Sequence, residues 1–462
     1  MDRANPLIAR ELAQFAIDLR LAQLPEAVRH EASRSLVNVM GCMLGGAIHP
    51  ITNAISGALL DHSGPAHASL VGRASKADVF TATLINTVSA SVLTFDDTHA
   101  QALVHPSAPV ASAVLALCEW RRLGGAQFMD AFTAGVEILC RLAKAIAVAP
   151  ATGNLRWALT SIAAPAAVAV AAGKLIGLDA DQMVCAIGIA VTQSSGLRIG
   201  SGTMCFAYAP GAAAQAGLRA AVLAKSGMQG PADSLEGRDG LFQCFSQSPH
   251  PSAAVEGLGR QFEILANTYK PYPCGAVVHP AIDAMLEIAA LPGFDASAVE
   301  HVALFVHAKT FALGNRPQPN AAHEAQVSVQ HWAAAALLGG KAGMAEIDDD
   351  YIRDSAVATM RARIDLRVDE ALTPVGAKAM VKMADGRTLH SRITHCTSSA
   401  ERPMSDAQIS AKFLQLAQKD YGSEEAKTIL ELCWNFSNVA SVASIGDLLA
   451  AAPAAQSAEA AR

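Results

Sequence analysis

The sequence predicts a mostly α-helical protein with a large, discontinuous, all-helical domain and a smaller inserted α+β domain. Three observations predict this fold. Residues 7–265 carry apolar side chains at helical spacing, strand-like alternation is confined to about residues 266–395, and helical spacing returns at residues 406–451. Because 462 residues are too many for one simple core, we predict a helical domain of residues 1–265 and 396–462 and an α+β domain of residues 266–395.

The first helix is predicted at residues 7–21, where Leu12, Phe15, Ala16 and Leu19 recur at i, i+3 and i+4. Turn-like residues such as Gly124-Gly125 separate the helices that follow. Most of these helices are rich in Ala and Leu, and they are predicted at residues 28–44, 79–93, 107–123, 127–148 and 162–176.

The α+β domain is predicted from short alternating segments. Residues 301–307 and 363–369 each place apolar side chains on one face. Residues 378–383 and 389–393 form a predicted hairpin around the turn Ala384-Asp385-Gly386-Arg387. Two helices are predicted elsewhere in this region, at residues 280–290 and 327–338. The small polar residues 453–462 are predicted to be disordered.

The composition excludes several classes of function. Hydrophobic residues make up 52% of the chain and charged residues 16%, which favours a large core or subunit interface. A net charge of −6 without a Lys/Arg cluster argues against a nucleic-acid partner. The longest uncharged run near the middle, residues 157–173, is mostly Ala and contains Pro165, so we expect a buried helix and no membrane span. Nine cysteines without a CxxC pair, and no signal-peptide core, predict a cytoplasmic protein with reduced thiols.

A dense polar segment at residues 95–107 interrupts this apolar chain. Unpaired polar groups between buried segments are costly, so such a segment is typical of a functional site. Histidine can act as acid or base near neutral pH, and a neighbouring carboxylate can fix its tautomer. The segment therefore predicts removal of a proton next to a carboxylate or carbonyl. Its candidate side chains are Asp96, Asp97, Thr98, His99, His105 and Ser107.

Two alternatives compete with catalysis here. Asp96 or Asp97 could cap a helix, with His105-Pro106-Ser107 opening the next helix, and this structural role is compatible with a catalytic one. A metal site is the other alternative, but His99 and His105 are six residues apart and no third ligand is obvious. No glycine-bearing loop has nucleotide-binding spacing. We therefore predict no metal and no cofactor.

Two further segments supply candidates. The prolines of the segment 269–274 hold Lys270 and Tyr272 in place, either as a rigid hinge or as a site where Lys270 binds a substrate carboxylate across the cleft. Cys274 has no paired base and is expected to be an inert thiol. His331, near the start of an Ala-rich helix, either points into the cleft or is a core histidine.

Several motifs in order resemble the MmgE/PrpD family, which includes 2-methylcitrate dehydratase, cis-aconitate decarboxylase and iminodisuccinate epimerase. The resemblance runs from about residue 7 to residue 450. It implies a helical domain with a lid domain, a homodimer, and metal-independent chemistry in the cleft between the domains. The motifs that carry it are Phe95-Asp96-Asp97-Thr98-His99, His105-Pro106-Ser107, Gly173-Lys174-Leu175-Ile176-Gly177-Leu178-Asp179, Gly202-Thr203-Met204, Leu235-Glu236-Gly237, Lys270-Pro271-Tyr272-Pro273-Cys274, His279-Pro280-Ala281 and Ala384-Asp385-Gly386-Arg387.

The chain departs from that family at positions that typically carry polar side chains. Ala158 stands at a histidine position, Phe206 at a lysine, Ala209 at a histidine and Ala212 at a basic residue. His331 stands where the decarboxylases have a tyrosine. Buried carboxylates without partners are costly, so these departures predict a small organic acid or carbonyl substrate that is less anionic, and bulkier or more apolar, than citrate-type acids.

Two functional hypotheses follow. The first is a lyase or isomerase in which His105, oriented by Asp96, acts as base or acid and His331 handles a second proton; His99 is a further catalytic candidate. The substrate-binding candidates are Asp97, Thr98, Ser107, Phe206, Lys270 and Tyr272. The second hypothesis is a non-catalytic family member that binds a small ligand or partner, which the missing polar residues favour and the retained Asp96 and His105 disfavour.

Overall fold

The computed structural model describes residues 7–99, 101–102, 104–147, 156–418 and 422–449. The predicted disordered residues 453–462 lie outside this part of the chain. The fold is mostly α-helical with a small sheet. The helices that precede residue 270 are α1 (Ile8–Asp18), α2 (Glu26–Gly46), α3 (Pro50–Leu59), α4 (Val79–Ser91), α5 (Ser107–Arg121), α6 (Gly125–Ala147), α7 (Leu159–Ile176), α8 (Ala180–Val191), α9 (Cys205–Lys225) and α10 (Leu241–Phe245).

Side-chain caps set the starts of several of these helices. Asp78 accepts hydrogen bonds from the main-chain N–H groups of Phe80 (2.8 Å) and Thr81 (3.1 Å), and so caps α4. Asp179 forms a capping box with Gln182 at the start of α8. Gly177 ends α7 in the left-handed conformation, at φ +69°, which favours glycine. Local sequence therefore sets the ends of several of these helices.

The later helices lie around a four-stranded sheet and then return to the first part of the protein. They are α11 (His279–Ala289), α12 (Ala308–Gly314), α13 (Ala322–Ala325), α14 (Val329–Gly339), α15 (Asp349–Arg353), α16 (Ser355–Ala362), α17 (Asp406–Ala417), α18 (Ser423–Trp434) and α19 (Gly446–Leu449). The strands of the chain are β1 (Ala68–Ser69), β2 (Lys76–Ala77), β3 (Thr98–His99), β4 (Asn267–Thr268), β5 (Val299–Val306), β6 (Ile364–Val368), β7 (Ala377–Met383) and β8 (Thr388–Ile393).

The four-stranded sheet has the order β6-β5-β7-β8, and β6 is the strand that runs parallel to β5. Leu304 lies opposite Leu366 on one side and Ala379 on the other. The predicted hairpin is present: Gly386 adopts φ +87° in the turn between β7 and β8. Alternating burial along β7 explains why the sequence pattern located this strand.

The prediction that residues 1–265 are entirely helical is wrong in detail. β1 pairs with β2, and β3 pairs with β4, both in antiparallel fashion. Each of these strands has two residues, which is too short to produce a recognisable alternation of apolar and polar side chains. The β3–β4 pair joins the polar segment to the segment that contains Lys270.

Buried apolar residues form two separate clusters. One extends from Ala9 to Tyr269 and includes the buried residues from Met404 to Leu449. The other extends from Cys274 to Cys396. Helix α17 packs closely against α2, because a Cβ atom added to Gly41 of α2 would lie only 3.0 Å from Cδ2 of Phe413 in α17. The C-terminal helices therefore belong to the first cluster. The exact domain bounds, and the lid role of the α+β part, stay predictions.

Helix α7 lies inside the first cluster. By length and composition it could cross a membrane, but 83% of it is buried within the protein, as expected of a core helix. The segments Glu26–Gly46 and Pro50–His62 are long and apolar enough to cross a membrane only when taken together, and they are bent by 79° relative to each other. Helix α9 approaches α7 closely at Gly217, where an added Cβ would lie 2.3 Å from the Pro165 carbonyl oxygen. This approach brings the N-terminal ends of both helices to one cleft.

Candidate active site

A cleft opens beside the polar segment and contains about 600 Å³ of space, counting its mouth. One wall comes from the residues between α4 and α5, and the opposite wall comes from the starts of α7 and α9. A loop at residues 192–204 supplies the rim. The lining residues are Ser91, Thr94, Asp96, His105, Ala158, Leu159, Thr160, Ser161, Arg198, Phe206 and Pro210.

His105 projects into this cleft with one ring nitrogen already occupied. Its Nδ1 lies 2.7 Å from the Asp97 carbonyl oxygen and 3.2 Å from Thr98 Oγ1. Because a carbonyl oxygen can only accept, Nδ1 carries the proton and donates it. Among the described residues Nε2 has no hydrogen-bond partner, so its lone pair is available to a ligand. Burial, chiefly, lowers the pKa of His105, and the charge of Asp96 opposes this effect. The imidazole is therefore neutral at neutral pH.

Asp96 is buried and paired with Lys270. Lys270 Nζ donates to Asp96 Oδ1 at 3.0 Å and to the Thr94 carbonyl oxygen at 3.0 Å. The same Asp96 oxygen lies 3.8 Å from His105 Nδ1. The structure therefore brings together Asp96, Thr98, His105 and Lys270. Lys270 does not line the cleft, because its ammonium group is directed at Asp96.

The sequence reasoning missed a second buried lysine beneath this pair. Lys412 of α17 donates to the carbonyl oxygens of Phe95 (2.6 Å) and Lys270 (3.0 Å) and to Asn38 Oδ1 (2.8 Å). Burial lowers its pKa to about 8. Lys412 holds the two segments of the site together from behind. A signal was present, because Lys412 interrupts the apolar face formed by Ile409, Phe413 and Leu416.

Asp97 and Ser107 hold the segment in shape and do not line the cleft. Asp97 Oδ2 accepts hydrogen bonds from Ser107 Oγ (2.6 Å) and Asn267 Nδ2 (2.5 Å), while Oδ1 accepts from the Ser107 N–H at 3.3 Å. Asp97 thus accepts hydrogen bonds from Ser107, the first residue of α5. This contact agrees with the alternative that the polar segment forms the start of a helix. Burial raises the pKa of Asp97 to about 6.

His99 faces away from the cleft because successive side chains of β3 point to opposite sides. Its Nδ1 accepts a hydrogen bond from the Ala102 N–H at 3.0 Å, and its Nε2 lies 3.1 Å from Glu263 Oε2. Glu263 is also paired with Lys144 at 2.8 Å. The geometry places His99 in a buried polar network beside the Lys144–Glu263 ion pair and gives it no access to the cleft.

Tyr272 and His331 also lie outside the cleft. The Tyr272 hydroxyl donates to Asp283 Oδ1 at 2.6 Å. His331 is fully buried, its Nε2 donates to the Glu346 carbonyl oxygen at 2.7 Å, and burial lowers its pKa to about 4. His331 thus occupies the position of a core histidine. Reactive roles for Tyr272 and His331 have no support from this geometry.

Arg198 on the opposite wall was not predicted. Of the described lining residues it is the one with a cationic side chain. Main-chain hydrogen bonds hold its loop in place: the Arg198 N–H donates to the Arg156 carbonyl oxygen (2.9 Å), and the Ala158 N–H donates to the Gly196 carbonyl oxygen (3.0 Å). The guanidinium group donates to the Trp157 carbonyl oxygen at 3.3 Å. Burial lowers the pKa of Arg198, and the guanidinium group stays charged because arginine does not lose its proton in proteins. No sequence motif marks this residue.

Apart from the hydroxyls of Thr160 and Ser161, the rest of that wall is apolar. Phe206 and Pro210, four residues apart on α9, face the cleft together with Ala158 and Leu159. Phe206, which was predicted as a substrate-binding residue, therefore lines the cleft. The cleft combines one imidazole, one carboxylate and one guanidinium group with an apolar wall, an arrangement suited to acid–base chemistry on a partly apolar acid.

The described residues offer no cluster of metal ligands and no activated thiol at the positions considered above. They contain no group of three or more His, Cys, Asp or Glu side chains placed to hold a metal ion. Cys274 is buried, and burial raises the pKa of its thiol. The cysteines of the described chain are free, and Cys205 and Cys244 are the exposed ones.

Comparisons with known proteins cover nearly the whole chain. A family model of the MmgE/PrpD N-terminal domain matches residues 10–254, and one of the MmgE/PrpD C-terminal domain matches residues 272–436. A cis-aconitate decarboxylase from Aspergillus terreus is 24% identical over 474 residues, which is 96% of each chain. The cis-aconitate decarboxylase of Homo sapiens is 25% identical over 390 residues, 80% of this chain and 79% of the relative.

Proposed function

The chain belongs to the MmgE/PrpD family, and from that premise we propose that it is a lyase-type enzyme whose acid–base chemistry depends on His105. One observation carries the proposal. The Asp97 carbonyl oxygen fixes the tautomer of His105, which leaves Nε2 as a free acceptor in a cleft. The similarity to cis-aconitate decarboxylases supports the reaction class.

In the proposed mechanism His105 Nε2 takes a proton from the carbon next to a substrate carboxylate or carbonyl. The electron pair of the broken C–H bond enters the enolate. In a lyase this pair then forms a C=C bond as a leaving group departs from the neighbouring carbon with its own electrons. The carboxylate of Asp96, 3.8 Å from Nδ1, stabilises the resulting imidazolium. Return of the proton to the other face of the carbon would make the same site an isomerase.

The proposed substrate is less anionic than a citrate-type acid. Ala158 and Phe206, at positions that typically carry a histidine and a lysine in the family, both line the cleft. Lys270 is paired with Asp96 and adds no free charge there. A tricarboxylate would therefore leave at least one carboxylate against an apolar wall, which is costly. We also propose that the reaction needs no metal or cofactor and that the protein is a cytoplasmic homodimer.

Deuterium exchange tests this proposal without knowledge of the leaving group. The purified protein is incubated in D2O with a panel of small organic acids, and loss of the α-proton is followed by NMR together with product formation. His105→Ala should lower kcat by about 100-fold to 10,000-fold, the range typical of a general base, while circular dichroism stays unchanged. His62→Ala, at an exposed histidine, is the control and should react as the unmodified protein does.

Two outcomes would contradict the proposal. Exchange that survives in His105→Ala would remove His105 as the base. Turnover of citrate, 2-methylcitrate or cis-aconitate at ordinary enzymatic rates would contradict the less anionic substrate.

The second candidate function is ligand binding without turnover, which the loss of polar family positions at Ala158 and Phe206 favours. A ligand that binds the folded state raises its apparent stability. An acid that raises the melting temperature of the protein but shows neither exchange nor product would support this alternative.

A further inference from the structure

Two buried polar atoms on the wall opposite His105 have no partner among the described residues. They are Arg198 Nε and Ser161 Oγ. Both side chains line the cleft, and Ser161 is 1% exposed. Buried donors almost always have a hydrogen-bond partner. Two unpartnered donors on one wall therefore indicate that a bound ligand supplies the missing acceptor atoms.

The start of helix α7 adds to this donor set. Ala158 occupies the N-cap position, and no side chain caps the helix there. The first N–H groups of an uncapped helix attract an anion. Thr160 follows at the second position of the helix, and its Oγ1 accepts a hydrogen bond from the His105 N–H at 3.0 Å. Its hydroxyl proton is therefore still available to a ligand.

Two further cationic side chains lie near Arg198 and its loop. Lys309 of α12 lies close enough to Arg198 for the two charges to repel. Burial is the main cause that lowers the pKa of Lys309, and this repulsion lowers it further. Arg316 approaches the same loop and donates to the Ser201 carbonyl oxygen at 3.4 Å. No described carboxylate forms an ion pair with Arg198, Lys309 or Arg316. The local charge around Arg198 therefore favours an anionic ligand.

We propose that Arg198, with the Ser161 and Thr160 hydroxyls and the open start of α7, binds a single substrate carboxylate. The substrate class is a monocarboxylic acid with an apolar body that packs against Leu159, Phe206 and Pro210. This inference rests on the proposed function, because it places the acid between Arg198 and His105 Nε2. Arg198 is well suited to this role because its planar guanidinium group can bind a carboxylate through two parallel hydrogen bonds.

Binding measurements test the inference independently of catalysis. The probes are straight-chain monocarboxylates of three to eight carbons, the uncharged amide of the tightest binder, and citrate, measured by calorimetry and thermal shift. We expect at least one monocarboxylate to bind, its amide to bind at least 10-fold more weakly, and citrate to bind no more tightly. Absence of binding by every monocarboxylate, equal binding of the amide, or tighter binding of citrate would overturn the inference.

Variants assign the binding to Arg198. Arg198→Gln should weaken the monocarboxylate at least 10-fold, and Arg198→Lys should restore part of the loss through its charge. Arg156→Gln removes the same charge from an exposed side chain beside the loop and should bind as the unmodified protein does. Ser161→Ala should weaken binding while leaving every charge in place. Unchanged affinity in Arg198→Gln, with an unchanged melting temperature of the free protein, would overturn the inference.

The two proposals fail in different ways. If an acid binds through Arg198 but shows no exchange or product, the carboxylate site stands and the proposed enzymatic function fails. If exchange depends on His105 but affinity and KM do not depend on Arg198, the enzymatic function stands and the carboxylate site fails.

Discussion

At the scale of single residues, the chemistry of the site depends on which neighbour each polar group is given. Asp97 is more important for its main-chain carbonyl than for its carboxylate, since the carbonyl fixes the proton on His105 Nδ1. Its carboxylate, buried at the start of α5, organises Ser107 and Asn267. The two adjacent aspartates therefore have different contacts: the Asp96 carboxylate faces the imidazole of His105, and the Asp97 carboxylate holds the neighbouring segments in place.

The burial of Asp97 makes stability depend on pH. Its pKa rises from 3.8 to about 6 on folding, so between these values the folded state binds more protons than the unfolded state. Its contribution to stability is complete below about pH 4 and is lost as the pH rises to about 6. The difference corresponds to roughly 3 kcal/mol.

Urea unfolding from pH 4 to pH 7 measures this contribution. We expect the free energy of unfolding of the unmodified protein, minus that of Asp97→Asn, to fall as the pH rises through this range. Asp61→Asn, at an exposed carboxylate, should give a nearly flat difference. A flat difference for Asp97→Asn would mean that Asp97 has no raised pKa.

The sequence pointed to Asp96 and His105 on one wall of the site and to Phe206 on the other, but not to Arg198. Asp96 and His105 could be found because their types and spacing signal acid–base chemistry in a chain that is otherwise apolar. Arg198 could not, because its role depends on a loop that packs against residues about 40 positions earlier in the chain. His99 was misleading for a local reason: it neighbours Thr98 in the sequence, but the strand turns it to the opposite side.

At the scale of elements, the cleft depends on how closely α7 and α9 approach. A Cβ added to Gly217 would lie 2.3 Å from the Pro165 carbonyl oxygen and 2.8 Å from Val168 Cβ. Because the nearest atom is backbone, the helices would have to separate. The same two helices carry Thr160, Ser161 and Phe206 into the cleft, so a shift between them changes how these three side chains are placed relative to one another.

Gly217→Ala tests this dependence. We expect a loss of about 1–3 kcal/mol in the free energy of unfolding, as for other overpacked contacts, together with a higher KM. Gly57→Ala in α3 is the matched control, because nothing lies within 4 Å of its added Cβ; it should be neutral or slightly stabilising. A Gly217→Ala variant as stable and active as the unmodified protein would show that the helix contact is not tight.

Helix and strand positions were mostly predictable because they follow local periodicity, as in β5 to β8. The two-residue strands were not, and they matter more for the site. β3 and β4 join residues 98–99 to residues 267–268, which places Lys270 beside Asp96. A pairing of this kind depends on the whole fold and leaves no periodic signal in either segment.

At the scale of the whole molecule, a patch of exposed apolar side chains surrounds the loop that carries Arg198. Leu197 is 61% exposed, Ile199 87%, Met204 53% and Tyr208 44%. Four large apolar residues within twelve positions are typical of a protein–protein interface. The proposed homodimer would cover this patch and hold the Arg198 loop in place, so assembly and substrate binding would depend on each other.

Ile199→Asp tests the link between assembly and the cleft. Light scattering should give twice the chain mass of 47.8 kDa for the unmodified protein and a lower mass for Ile199→Asp, because a buried, unpaired charge opposes association. Monocarboxylate affinity should fall together with the mass. Met380→Asp, at an exposed apolar residue of β7, carries the same change on the sheet and should stay dimeric with unchanged affinity. A monomeric unmodified protein, or a dimeric Ile199→Asp, would exclude this patch as the interface.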